Sequence, residues 1–375
     1  MTPALETQSV HTATSKAGAI APAPSSNIDA STLPLAVLDL SDFDPVNKPE
    51  QSRQLADRLT KASNEVGFFY LTGLGIETEK IEEMFRISAE YFAEPAEEKT
   101  PYWMDQDHIG YMGIGGQSLD PSGITDNKEM YNMAKWGDQH PGYSNRKHPA
   151  VLKKYWTELE YYSRHFHSLA LKCLQLIALG LRIPDSEGTP GYLAFEKAHS
   201  YDAPSGDTFR FLHYPPPVAT TDRTEEQAGV RVGAHTDWGS ITILFGDKTG
   251  GLQIQLPKTK EWVHVPPVPN ACVVNLGDII QFWSSGYLRS TMHRVVPSAD
   301  PQYKYSRRYS IAYFARPAFA TPLVPINSPL INTEKKVDGS EDIMAPAFRS
   351  DSGGVLTAGE WLLKRATKSF TKADK

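Results

Sequence analysis

The chain has 375 residues, 40% hydrophobic and 22% charged, the balance of a globular protein able to bury a sizeable core. A net charge of -6 with scattered basic residues lacks the positive footprint of a nucleic-acid binder, and no apolar run is long enough to span a bilayer, so neither nucleic acid nor membrane is an expected partner. The first thirty residues have no signal-peptide pattern, and the only cysteines, Cys173 and Cys272, sit in apolar surroundings, which suits buried thiols and a cytoplasmic address.

Residues 1–30 are rich in Ala, Ser, Thr and Pro without periodicity and read as a disordered tail. From Pro34 the run Leu35–Leu40 predicts a short strand, followed by an amphipathic helix from about Lys48 to Val66 and a second strand over Phe68–Thr72 that ends at Gly73 and Gly75. Ile81, Met84, Phe85, Ala89 and Phe92 recur at helical spacing until Pro95 interrupts them. Between Ala150 and Arg182 one apolar stripe runs through Leu152, Leu159, Phe166, Cys173 and Ile177, predicting a long helix that backs a sheet.

From about Thr208 to Arg316 the pattern changes to short β-rich runs separated by turns such as Lys248-Thr249-Gly250-Gly251 and Ser284-Ser285-Gly286. Such runs predict a mainly β fold with α additions, its core a jelly roll (a double-stranded β-helix, cupin-like) backed by helices. The expected organisation is one domain over 31–375, with a mixed α/β part at 31–205, the jelly roll at 206–320 and a C-terminal extension at 321–375 ending in a helix near Ala358 to Phe370.

Within the β-rich region, Gly233-Ala234-His235-Thr236-Asp237 sets an imidazole and a carboxylate two residues apart, and period-two alternation puts both on one strand face. Alone the pair is weak, because with eleven histidines chance supplies one His-x-Asp about half the time. A third candidate ligand, His293, follows in Ser290-Thr291-Met292-His293-Arg294-Val295-Val296. Two imidazoles and one carboxylate on facing strands form a facial triad that leaves coordination positions open, as iron(II) oxygenases require. Catalytic zinc tolerates the same donor set, so a zinc hydrolase is an alternative.

Further on, Arg308 and Ser310 share a strand face in Arg307-Arg308-Tyr309-Ser310, and an Arg fork beside a hydroxyl suits a carboxylate held deep in a barrel. A hydrolase has no evident need for that pair. Tyr214, before Pro215 and Pro216, offers a phenolic donor or simple packing.

The order Tyr214, His235-x-Asp237, His293, Arg308-x-Ser310 resembles the isopenicillin N synthase-like family of 2-oxoglutarate and iron(II)-dependent dioxygenases. Val66-Gly67-Phe68-Phe69, Phe92 to Lys99, Gly110-Tyr111, Asp126-Asn127-Lys128-Glu129 and Val273-Val274-Asn275-Leu276-Gly277-Asp278 extend the likeness over most of Pro34 to Phe370. The resemblance implies that His235, Asp237 and His293 bind Fe(II) and that Arg308, Ser310 and Tyr214 bind the co-substrate 2-oxoglutarate. It also implies O2 as oxidant, with release of succinate and CO2. Leu212 stands where many plant members have Asn, and Leu212-His213-Tyr214-Pro215 is closer to microbial members, including the fungal thymine hydroxylase group.

By the same resemblance, the expected substrate-pocket walls are Tyr111, Met112, Tyr131, Arg210, Trp238 and Phe314, a set that leans toward a small, mostly apolar or aromatic molecule of secondary metabolism. Each aromatic serves equally well as core. Two other readings stay open: an oxidase on the same fold that does not use 2-oxoglutarate, and a ligand-binding protein that has lost activity.

Overall fold

The computed structural model describes residues 35–104, 106–119, 125–138, 140, 146–216, 230–331 and 354–369, so the expected disordered tail at 1–30 lies outside the described residues. Strand β1 (Val37–Asp39) pairs in parallel with β2 (Phe68–Thr72), and helix α1 (Pro49–Glu65) makes the crossover between them. Proline suits the first helical position because its missing N–H has no partner within the helix. Leu55, Ala56, Leu59 and Ala62 form the buried face of α1. Gly67, at φ 78°, turns the chain from α1 into β2, and a side chain there would collide with the Arg289 carbonyl.

Helix α2 (Thr78–Ala93) buries Met84, Phe85, Ile87, Tyr91 and Phe92, and ends before Pro95 as its sequence pattern predicts. Short α3 (Ala96–Lys99) leads to strands β3 (Gly110–Met112) and β4 (Glu129–Met133). The helix expected over 150–182 is divided into α4 (Ala150–Lys153) and α5 (Trp156–Gly180). Tyr155 leaves helical geometry at φ -116°, ψ 23°, while its hydroxyl donates to Glu90 at 2.7 Å; a contact with α2 interrupts what the local stripe favours. Gly180 lets α5 approach α1, since a Cβ there would collide with Thr60 Oγ1 and lie 2.8 Å from the Ala56 carbonyl oxygen.

Strands β5 (Thr208–Tyr214), β6 (Val232–His235), β7 (Ile241–Gly246), β8 (Leu252–Gln255), β9 (Trp262–Val265) and β10 (Cys272–Leu276) follow. After them come α6 (Asp278–Trp283), β11 (His293–Val295), β12 (Arg308–Ala315) and α7 (Ala358–Ser369). They build an eight-stranded sheet, order β1-β2-β10-β7-β12-β5-β4-β3, and a four-stranded sheet, order β6-β11-β8-β9. Neither sheet closes on itself; the two face each other as a jelly roll, with Phe68 and Tyr70 packed against Leu252, Ile254 and Val265.

Alternation along each strand sends one residue set outward and the next inward. On the outer face of the large sheet, Phe209 and Phe245 meet Phe166 of α5, with ring centroids 5.7 and 5.0 Å apart. The inner face carries Arg308, Ser310, Ala312 and Phe314 of β12, and Arg210, Leu212 and Tyr214 of β5, all lining one cavity between the sheets.

Candidate metal centre and co-substrate pocket

His293 of β11 lies directly across the ladder from His235 at the end of β6, and their rings are 4.2 Å apart. Each ring spends one nitrogen on the backbone: His235 Nδ1 lies 2.8 Å from the Gly233 carbonyl oxygen, and His293 Nδ1 lies 3.0 Å from that of Thr291. Both Nε2 atoms are left facing Asp237 Oδ1, each at 3.9 Å. One donor atom from each of the three residues thus falls within 4.8 Å of the others.

The pleat of β6 does not aim Asp237, contrary to the sequence expectation, because the strand stops at His235. Two cross-strand neighbours do so instead. Thr242 of β7 and Asn275 of β10 pair in the ladder and both donate to Asp237 Oδ2, at 2.6 and 2.7 Å. Oδ1 stays free to join the imidazoles.

Burial, reinforced by the His293 charge, pushes His235 down to about 3. Burial works the other way on Asp237, but the two histidines and the bonds from Asn275 and Thr242 outweigh it and hold its carboxyl well below the ordinary carboxylate range. A neutral His235 imidazole and an ionised Asp237 carboxylate are the protonation states a divalent metal requires of those groups, and a donor set of two imidazoles and one carboxylate fits iron(II).

The cavity beside the triad has a volume of about 460 Å³. At one end the buried Arg308 donates from Nε to the Gly250 carbonyl at 2.6 Å and from Nη1 to Ser310 Oγ at 3.1 Å. Tyr214 is its ladder partner on β5, with the guanidinium 4.7 Å from the phenol ring. At the other end Arg210, Trp238 and Phe314 face the same space, and Leu362 and Leu363 of α7 complete its wall.

Three expected pocket residues lie elsewhere. Tyr111 and Tyr131 point to the outer face, where Tyr111 donates to Glu129 at 2.7 Å, the Tyr131 hydroxyl lies 2.8 Å from His148 Nδ1, and both rings pack on Tyr91. Met112 is on the inner side but buried in a cluster with Met104, Met130 and Leu212 rather than on the cavity wall. The reason is strand parity: on β4 it is Asn132, not Tyr131, that shares the face of Arg210 and reaches the cavity.

Sequence reasoning gave no individual role to Thr242, Asn132, Asn275 or Arg316, all of which line the cavity. Asn275 sat within a recognised family segment, and Arg316 continues the inward period of β12 by one step.

The family description 2OG-Fe(II) oxygenase superfamily matches residues 206–317, the span holding the triad and Arg308, and the description non-haem dioxygenase in morphine synthesis N-terminal matches 35–155. UPF0676 protein C1494.01 of Schizosaccharomyces pombe is 33% identical over 338 residues, covering 88% of this chain and 91% of that protein. The chain belongs to the 2OG-Fe(II) oxygenase superfamily. It is thus a 2-oxoglutarate-dependent dioxygenase with iron(II) and 2-oxoglutarate as cofactors. The 1-aminocyclopropane-1-carboxylate oxidase of Dictyostelium mucoroides is 26% identical over 78% of this chain and 83% of its own length. Among solved structures, Neurospora crassa T7H in complex with alpha-KG and thymine superposes with a TM-score of 0.71 at 25% identity, covering 91% of this chain and 98% of that one. Among the described residues, no helix of this oxygenase is long and apolar enough to cross a membrane.

Proposed function

We propose that His235, Asp237 and His293 hold Fe(II), that Arg308 with Ser310 and Tyr214 receives the distal carboxylate of 2-oxoglutarate, and that the enzyme oxidises a small organic molecule of secondary metabolism. The convergence of the two Nε2 atoms and Asp237 Oδ1 in the same cavity as the Arg308 fork carries this reading. Iron with 2-oxoglutarate and O2 supplies the oxidising power, with succinate and CO2 as by-products.

The chain's own residues do the positioning. Thr242 and Asn275 fix the carboxylate plane of Asp237, and the backbone carbonyls of Gly233 and Thr291 fix the imidazole rings. Gly250 and Ser310 orient the Arg308 fork, so a carboxylate meets it without rearrangement. Phe314, Trp238 and the α7 leucines surround the remaining space with apolar groups that exclude water and direct one face of a substrate toward the triad.

The deciding measurement is succinate formation from 2-oxoglutarate by the Fe(II)-loaded protein with O2. Turnover of an organic substrate without 2-oxoglutarate would overturn the co-substrate assignment in favour of an oxidase, the activity named for the Dictyostelium relative.

A further inference from the structure

Besides Arg308, the cavity holds two guanidinium groups, and neither has an acidic partner among the described residues. Arg210 donates from Nε to Asn132 Oδ1 at 2.7 Å, and its guanidinium lies 4.5 Å from the centre of the Phe314 ring. Its Nη groups have no hydrogen-bond partner among the described residues. Arg316 lies 5.4 Å from the centre of the same ring; its Nη1 donates to the Gly206 carbonyl and to Thr208 Oγ1, while its Nε is buried without a partner.

The nearby acids are already engaged. Asp207 takes the Tyr313 hydroxyl at 3.0 Å, lies 3.3 Å from His167 Nδ1 and accepts the Arg316 backbone N–H, and Asp237 belongs to the triad. Burial first, then the charge of Arg316, pushes Arg210 down to about 10, and burial lowers Arg316 as well. Two like charges half withdrawn from water around one aromatic ring repel each other in the empty cavity, and a neutral ligand leaves that repulsion in place. A carboxylate neutralises it and matches the planar fork of each guanidinium.

We propose that the primary substrate is an organic acid whose carboxylate is held by Arg210 and Arg316, with its apolar body against Phe314 and the α7 leucines. The proposal rests on the dioxygenase reading and narrows its substrate to the acids. Arg308 and Phe314 stand six residues apart on β12, about 20 Å along the strand. Co-substrate and substrate therefore each have a cationic end of their own. Arg210 and Arg316 select the anion, and Asn132 acts through Arg210 as a positioning residue.

The test is calorimetric titration of the protein loaded with Fe(II) and 2-oxoglutarate, kept without oxygen, using benzoate, phenylacetate and cinnamate against their amides and thymine. The acids are expected to bind at least tenfold more tightly than the neutral probes, without raising the 2-oxoglutarate concentration needed for saturation. Arg210→Gln should reduce that preference to twofold or less, Arg316→Gln should weaken it, and both should leave 2-oxoglutarate affinity within twofold. Because Arg316 also ties Gly206 to Thr208, Arg210→Gln alone decides the matter if the second variant does not fold. Absence of acid binding, equal binding of amides or thymine, or a preference that survives Arg210→Gln overturns the proposal. A wild-type protein that fails to bind 2-oxoglutarate overturns the dioxygenase reading instead.

Discussion

Asp237 has two carboxylate oxygens with separate tasks: Oδ2 is held by Thr242 and Asn275, and Oδ1 faces both imidazoles. Asp237→Ala should abolish iron binding, because it removes one of the three donors of the proposed site. Asn275→Ala should weaken iron binding by roughly 10- to 100-fold, because it frees the carboxylate to rotate. Metal content and Fe(II) titration of the purified variants check both, and wild-type affinity in Asp237→Ala would remove the triad assignment. Arg308→Lys should raise the 2-oxoglutarate requirement strongly, since an ammonium cannot reproduce the planar fork that Gly250 and Ser310 orient. An unchanged 2-oxoglutarate titration would make Arg308 a structural residue. That His235, Asp237, His293 and Arg308 would share one cavity was readable in the sequence, because the chemistry proposed for them restricts their residue types and the chain order restricts their context. Tyr111 and Tyr131 were misplaced because an aromatic in a strand serves a core and a pocket equally well, and only strand parity separates the two. Arg316 was missed because it lies one step beyond the end of β12, outside any motif.

At the scale of elements, Glu129 joins α3, β3, β4 and β5. Its carboxylate accepts from Lys99 Nζ at 2.9 Å and Tyr111 at 2.7 Å, and lies 2.8 Å from His213 Nδ1. Burial by itself raises the Glu129 pKa, but the bonds from His213, Lys99 and Tyr111 outweigh it and hold the group below its ordinary value of 4.5. With the folded value depressed, this network stabilises the protein fully above about pH 4.5, and the contribution disappears as pH falls through the folded value. Glu129→Gln should cost roughly 3–5 kcal/mol at pH 7, because it leaves the Lys99 ammonium buried without its counter-charge. It should also flatten the loss of stability in acid. Urea midpoints at pH 7 and pH 4 test this; an unchanged difference between wild type and variant at the two pH values would show that the network contributes nothing through ionisation. The apolar stripe of α5 was legible because a 25-residue helix repeats its signal seven times over. The break before it was not, since Tyr155 leaves the helix for a contact with Glu90, far away in sequence.

For the molecule as a whole, the large sheet is shared between segments on both sides of residue 206: β2 hydrogen-bonds to β10, and β4 to β5. The jelly roll was legible from its short strands and turns, whereas the recruitment of β1 to β4 into the same sheet depends on pairings that no local pattern encodes. By composition, residues 1–30 offer few apolar anchors and no group that the chemistry uses. A chain beginning at Ser31 should keep its turnover and melting temperature. A large fall in steady-state turnover at unchanged melting temperature would show instead that the segment folds over the cavity mouth during reaction.

Strand β12 is paired along both edges, with β5 on one side and β7 on the other, and its inward face carries Arg308 at one end and the Phe314 wall at the other. In terms of mutational tolerance, this strand accepts exchanges but not changes of length. One inserted residue reverses the facing of everything beyond it, and neither neighbouring strand is free to slip and restore the register. A single Ala inserted after Ser310 should therefore eliminate turnover, whereas the same insertion in the exposed Lys258–Lys260 turn between β8 and β9 should be silent. Substrate preference on this scaffold can thus diverge by replacing side chains at the Phe314 end of β12 and along α7, while the Arg308 end and the spacing between them stay fixed.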